Sequence, residues 1–313
     1  MEAVTTPMTA VEMRGKRLEA PIREEIARQR LLLLEAGRPL PRLATILVGD
    51  DPAAGSYRAS IARTFGRLGV DHLPVDLPAT AGTSEILASL KNLNQDETVS
   101  GIMVFLPLPG RKADLAVRDA ISPLKDVDGI SPLSAGNLRL GRPTLEPACP
   151  RAGVGLLQAH GVQLAGAPVT VIGRSPVVGS PLAAMLTMAD ATVTVCHRGS
   201  RDIVEWTGAA EIVACAAGTH GVLTGDMIKP GTTVLDFGTN VLDGHLVGDA
   251  VRASVERVAG RLSPVPGGTG PATSLVLAYQ TVLAAHATAA GTLEAILDAP
   301  SIGQLATSVA SNT

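Results

Sequence analysis

Gly173 and Gly179 follow an apolar run, Val169-Thr-Val-Ile172, and precede a helix start at Ser180-Pro181. A turn of this kind brings backbone N–H groups and a helix N-terminus toward a phosphate. A second apolar run, Ala191-Thr-Val-Thr-Val-Cys196, ends in His197-Arg198. Strand, turn, helix and strand together make one unit of the dinucleotide-binding type. The glycines permit close approach of backbone to phosphate, and Ser175 offers a hydroxyl. The spacing is Gly-x5-Gly rather than G-x-G-x-x-G, so the general fingerprint fits loosely. Taken alone, the turn fits an ordinary strand–helix connection equally well.

The tip of the second strand bears on which dinucleotide would bind. An unphosphorylated adenosine ribose is usually held there by Asp or Glu. This tip reads His197-Arg198-Gly199-Ser200-Arg201, with no carboxylate before Asp202. Arg174, Arg198 and Ser200 suit a 2′-phosphate, because guanidinium pairs with phosphate in bidentate fashion. NADP is therefore expected in preference to NAD. Arg201 reads as a solvated charge at a helix start.

Strands and helices alternate around these residues. Residues 1–13 read as a loose leader, and Arg14 to Leu34 as an amphipathic helix. Strands are expected at 43–49, 71–77 and 100–106. Helices are expected over 53–68, with Gly69 as its stop, and over 83–94, with Thr83 as N-cap. Beyond the Pro-rich stretch from Pro143 to Pro150, strands recur at 168–173, 191–196, 211–215 and 233–237. Thr269 to Ala290 is an Ala/Leu-rich helix. This alternation predicts an α/β protein with parallel sheets covered by helices. The boundary is placed near residue 150. Domain 1–150 precedes a Rossmann-type parallel-sheet domain, 151–269, with a cleft between, and 291–313 reads as a flexible tail.

Composition agrees with that class. Of 313 residues, 46% are hydrophobic and only 2% aromatic, so the core must be aliphatic, as buried parallel strands require. The formal charge of −3, without a basic block, argues against nucleic-acid binding. Cys149, Cys196 and Cys215 are too scattered for a disulfide framework or a zinc site, and no metal is expected. No apolar run is long enough to span a membrane, and no signal pattern opens the chain. A soluble cytoplasmic protein is expected.

Several segments together resemble the methylenetetrahydrofolate dehydrogenase/cyclohydrolase family. They are Val48-Gly-Asp-Asp-Pro52 with Tyr57, Gly101-Ile-Met-Val-Phe-Leu-Pro-Leu-Pro109, Lys125-Asp-Val-Asp-Gly129, Gly173-Arg-Ser-x-x-Val-Gly-x-Pro181, Gly225-Asp-Met-Ile-Lys-Pro-Gly231 and Pro264-Val-Pro-Gly-Gly-Thr-Gly-Pro271. They stand in the family's order between about Gly15 and Ala285.

The resemblance implies that domain 1–150 binds folate and that the helix at about 270–290 packs back on it. It implies a tetrahydrofolate derivative as substrate and a homodimer as the assembly. Tyr57 and Asp128 are implied as the catalytic pair. Tyr57 would stack on the aminobenzoate ring and Asp128 would fix the pterin, since a carboxylate accepts two hydrogen bonds from an amino-pyrimidine edge. Lys125 and Asp126 read as turn and surface residues. Phe105, Pro266, Gly267, Gly268 and Pro271 would complete the substrate site. Gly173, Arg174, Ser175, Val178, Gly179, His197, Arg198, Ser200, Ala217 and Thr239 would hold the cofactor.

The chain also departs from the family. The family's helix carries Ser-x-x-Tyr-x-x-x-Lys on one face. Here the serine is Ala54 and the lysine is Ile61, while the family's strand glutamine is Phe105. Hydride removal from a carbon between two nitrogens needs no proton acceptor, so oxidation of 5,10-methylenetetrahydrofolate can survive an apolar site. Hydrolysis of the methenyl product needs a titratable group, which Ile61 and Phe105 cannot supply. Weak or absent cyclohydrolase activity is therefore expected. The alternatives are one-carbon transfer to another acceptor without net redox, and a non-catalytic folate-binding paralogue.

Overall fold

The computed structural model describes residues 10–108 and 110–308. They fall into two compact bodies. One holds residues 20–148 and 274–301; the other holds residues 10–19, 149–273 and 302–308. The first described strand, β1 (Val11–Glu12), belongs to the latter.

The body of residues 20–148 takes in most of α1 (Glu19–Glu35), then β2 (Arg42–Val48), α2 (Pro52–Leu68) and β3 (Asp71–Leu77). It continues through α3 (Thr83–Gln95), β4 (Gly101–Val104), α4 (Arg111–Ala120) and α5 (Pro132–Arg139). The sheet order is β3-β2-β4, all parallel. Central β2 is buried from Leu43 to Leu47 because neighbours cover both its faces. Edge strand β3 accommodates Pro74, whose missing N–H matters least there. The Asp51 carboxylate starts α2 by accepting from the Ala54 N–H at 2.7 Å, with Pro52 in the first turn. Gly69 ends that helix, and Ile61, Thr64, Phe65 and Leu68 form its buried stripe. Thr83 does not cap α3. The extended residue is Gly82, so Thr83 already lies inside the helix.

The other body runs through α6 (Ala148–Ala159), of which all but Ala148 belong here, then β5 (Pro168–Ile172), α7 (Gly179–Met188), β6 (Thr192–Cys196), α8 (Ile203–Ala209) and β7 (Ile212–Cys215). It continues with β8 (Thr233–Asp236), the hairpin β9 (Asn240–Leu242) and β10 (His245–Val247), α9 (Arg252–Val255) and β11 (Arg261–Leu262). Helices α10 (Thr269–Ala290) and α11 (Ile302–Ser308) close the described chain. The main sheet is parallel throughout, in the order β1-β11-β8-β7-β5-β6. The chain builds β6 on one side of β5 and then crosses to lay β7 on the other. In open α/β sheets, ligands bind outside the carboxyl ends of the strands at such a switch point.

Two segments differ from their reading in the sequence. Residues 10–13 are not loose. Val11 and Met13 donate to Gly260 O and Leu262 O at 2.9 and 2.8 Å, extending the sheet, and the Met13 side chain is fully enclosed. A two-residue strand is too short to carry a period. Residues 1–9 lie outside the described residues. The described part of the tail is ordered as a 3-10 turn at Leu293–Ile296 followed by α11, with Ile302 and Leu305 buried. Gly155 leaves room for the Ile302 side chain, and Tyr279 Oη donates to Pro300 O at 2.8 Å. Residues 309–313 lie outside the described residues. From Ser274 on, α10 belongs to the body of residues 20–148. Its Gln280 accepts from Glu146 N–H at 2.7 Å and donates to Val127 O at 2.9 Å.

Candidate active site

In the body of residues 20–148, α2 carries Tyr57, half-buried, one turn before Ile61, which is fully buried. Phe105 follows β4, and its N–H donates to Ile46 O at 3.0 Å, tying it to the sheet. The Tyr57 and Phe105 rings meet edge to face, with centroids 6.0 Å apart and planes at 90°. Neighbouring Arg58 is engaged with Asp76 on β3.

The loop after α4 holds two carboxylates of different character. Asp126 is fully enclosed and accepts from Ile130 N–H, Ser131 N–H and Ser134 Oγ at 2.9, 2.8 and 2.7 Å. Asp128 keeps part of its surface open and accepts from Ala148 N–H at 3.3 Å. Burial, reinforced by the Asp126 charge, pushes the Asp128 carboxyl up to about 7. Lys125 is not a surface residue. Its ammonium is buried and donates to Leu93 O and Asp96 O at 3.0 and 2.7 Å, pinning the loop to the end of α3.

The other body presents the glycine turn at the end of β5. Gly173 has φ +130°, and a Cβ there would collide with Ala216 O beyond β7. A Cβ on Gly179 would collide with the Gly173 carbonyl. These contacts pack the turn against the switch point. Ser175 Oγ accepts from the N–H groups of Val178 and Gly179 at 3.1 and 3.3 Å. It thus caps α7 and keeps its own hydrogen to donate. Arg174 and Arg198 are exposed. The tip after β6 is a closed turn, with His197 N–H donating to Ser200 Oγ at 2.9 Å and Gly199 N–H to His197 Nδ1 at 3.0 Å.

Residues 147–289 match the family model described as the tetrahydrofolate dehydrogenase/cyclohydrolase NAD(P)-binding domain, and residues 13–128 match that of the catalytic domain. The chain belongs to the tetrahydrofolate dehydrogenase/cyclohydrolase family. It is 43% identical over 279 residues to the bifunctional protein FolD of Chloroflexus aurantiacus, covering 88% of this chain and 98% of the relative. The crystal structure of the Campylobacter jejuni bifunctional enzyme FolD, methylenetetrahydrofolate dehydrogenase/cyclohydrolase, is similar with a TM-score of 0.83 and 38% identity. That match covers 88% of this chain and 98% of that one. The Trypanosoma brucei methylenetetrahydrofolate dehydrogenase-cyclohydrolase, complexed with NADP cofactor and inhibitor, is similar with a TM-score of 0.81 and 33% identity. That match covers 87% of this chain and 96% of that one.

In this family member, Tyr57, Ile61, Phe105 and Asp128 lie in one body, where the Tyr57 and Phe105 rings meet and Ile61 follows Tyr57 by one turn of α2. Pro266, Gly267, Gly268 and Pro271 lie in the other body, with the glycine turn. There Gly267 O accepts from Gly15 N–H at 3.0 Å, and Thr269 Oγ1 donates to Asp236 O at 2.9 Å. Ala217 and Thr239 are exposed just beyond β7 and β8, while Val178 is half-buried beside the turn.

The buried carboxylates that fix these loops are not legible in the sequence. Asp249 Oδ2 accepts from Ala217 and Gly218 N–H at 2.7 and 2.9 Å, and its Oδ1 accepts from Asn240 Nδ2 at 2.8 Å. Asp236 accepts from Gly238, Asp249 and Ala250 N–H. No spacing in the sequence marks them. Carboxylates amid apolar strands are tolerated only when hydrogen-bonded in this way.

Proposed function

We propose that this protein oxidises 5,10-methylenetetrahydrofolate to 5,10-methenyltetrahydrofolate with NADP, and that it hydrolyses the product weakly or not at all. The observation that carries the reading is the Tyr57–Phe105 ring pair, with the buried Ile61 one helical turn from Tyr57, in a chain that matches the family through both domains.

Bound NADP supplies the hydride acceptor. In this reading Gly173 and Gly179 bring the backbone to the pyrophosphate, and Ser175 donates its hydroxyl. Arg174, Arg198 and Ser200 take the 2′-phosphate, and His197 shapes the tip. Val178, Ala217 and Thr239 line the cofactor. On the folate side Tyr57 stacks on the aminobenzoate ring, and Asp128 accepts from the pterin edge. Phe105 lies beside the reacting carbon, and the segment of Pro266, Gly267, Gly268 and Pro271 borders the substrate.

Loss of hydride leaves a cation shared by two nitrogens, and no proton has to move. Hydrolysis instead requires water to lose a proton while the leaving nitrogen gains one. General acid–base help of this kind is worth about 10²–10⁴-fold, and neither Ile61 nor Phe105 can supply it. The reading extends to a homodimer working in the cytoplasm. The exposed Val241, Leu242 and Leu246 of the β9–β10 hairpin are apolar surface of the kind a second copy covers.

Initial rates of NADPH or NADH formation, with methylenetetrahydrofolate and NADP⁺ or NAD⁺, test the assignment. NADP⁺ should support the faster turnover per unit of free coenzyme. No reduction of either coenzyme would refute it.

A further inference from the structure

The chain has three Phe, two Tyr and one Trp, yet Tyr57 and Phe105 meet in the substrate-side body. Their planes stand at 90°. In an edge-to-face pair, the ring offering its edge keeps both faces clear of its partner, and the other ring keeps one. Phe105 is buried and Tyr57 half-buried, so a group entering beside them meets the rim of a corner whose π faces carry negative charge. Beneath it, one turn along α2, is the fully buried Ile61. The nearest cation in sequence, Arg58, is drawn off by Asp76. Apart from the Tyr57 hydroxyl, the side chains of Tyr57, Phe105 and Ile61 offer only ring and hydrocarbon, and the backbone of Phe105 is fixed to β2 through Ile46 O.

We propose that Phe105 is a specificity-determining residue, which with Tyr57 and Ile61 forms a dry aromatic corner that selects the methenyl cation and shields its carbon from water. The inference rests on the dehydrogenase reading and goes beyond it. A dehydrogenase site without a general acid or base merely fails to hasten hydrolysis, whereas binding in this corner slows it. In the oxidation, a C–H bond of the methylene bridge breaks and its electron pair leaves as hydride to the nicotinamide. A nitrogen lone pair forms the new C=N bond. The positive charge that results is spread over N–C–N, a flat cation of the kind that aromatic faces attract. Hydrolysis would need water to add to that carbon, release one proton and deliver another to the departing nitrogen. Rings and hydrocarbon packed around that carbon leave water little room to reach it, which hinders the first of these steps.

The test uses the full chain with 5,10-methenyltetrahydrofolate and tetrahydrofolate as probes, one carrying the cationic bridge and the other lacking it. The unaltered protein should bind the methenyl form more tightly. Methenyltetrahydrofolate bound to excess protein should decay several-fold more slowly than in the same buffer. Phe105→Leu keeps the site apolar but removes the ring, and should cut the preference for the cation by about tenfold, the size of a partly desolvated cation–π contact. Phe105→Tyr should retain it. Unchanged selectivity in a folded Phe105→Leu protein would overturn the proposal. So would decay of the bound cation as fast as in buffer or faster, a result that needs no variant. If NADPH forms from methylenetetrahydrofolate while either contrary result holds, only this inference fails. If neither folate binds, the dehydrogenase reading falls with it.

Discussion

Asp126 and Asp128 stand two residues apart on one loop, yet the first is enclosed by hydrogen bonds and the second is partly open. Burial and the Asp126 charge raise the Asp128 carboxyl to about 7, against an ordinary 3.8. If Asp128 accepts from the pterin edge, only its ionised form binds well. Folate affinity should therefore fall as pH drops through about 7, approaching tenfold per pH unit below it. Asp128→Asn should flatten that profile at reduced affinity. The sign for stability is opposite. Between about 4 and 7 the folded protein keeps a proton that the unfolded chain has lost, so stability declines as pH rises through this window. Thermal melts of Asp128→Asn should then gain on the unaltered protein most at pH 8 and least at pH 4.

Coenzyme choice should rest on the exposed arginines. Arg198→Ala should weaken NADP⁺ by about 1.5–3 kcal/mol, the range for charged hydrogen bonds, and leave NAD⁺ nearly unchanged. Titrating both coenzymes checks this. Equal losses for both would place Arg198 away from the 2′-phosphate.

Much of the fold was legible because the central strands are fully buried and write themselves as apolar runs. β2, β5, β7 and β8 are of this kind, and α10 follows from its Ala/Leu content. β1 and the β9–β10 hairpin were not legible, since segments of two or three residues have no period. Tyr57 and the Gly173 turn stood out by residue type and spacing. Lys125 and Asp249 did not, because what they bind is backbone brought near by tertiary folding. A lysine in a turn reads as solvated until its carbonyl partners are known.

The glycine turn should be intolerant. Gly173→Ala adds a Cβ where φ is +130° and where Ala216 O already stands. It should destabilise the protein by at least about 1–3 kcal/mol and weaken the cofactor as well. Denaturant melts and an NADP⁺ titration measure the two effects. A stable, fully binding variant would show that the turn can relax away from β7.

Restoring hydrolysis should need more than one change. Ile61 is fully buried, so Ile61→Lys alone sets an ammonium in hydrocarbon against Phe105, at a cost of several kcal/mol or a neutralised amine. Pairing it with Phe105→Gln supplies a polar partner. The double variant should hydrolyse methenyltetrahydrofolate measurably faster than buffer, and the single variant less so. A folded, folate-binding double variant without any gain would mean that water activation fails for another reason.

The central claim is that oxidation proceeds here without hydrolysis, and one progress curve decides it. Purified protein is mixed with methylenetetrahydrofolate and NADP⁺, and NADPH and methenyltetrahydrofolate are followed together by absorbance. The two should rise in equal amounts, with methenyl product disappearing no faster than it does in buffer alone. NADPH accumulating while the methenyl form is consumed to 10-formyltetrahydrofolate at an enzymatic rate would contradict the account, because some other group of this chain must then activate water.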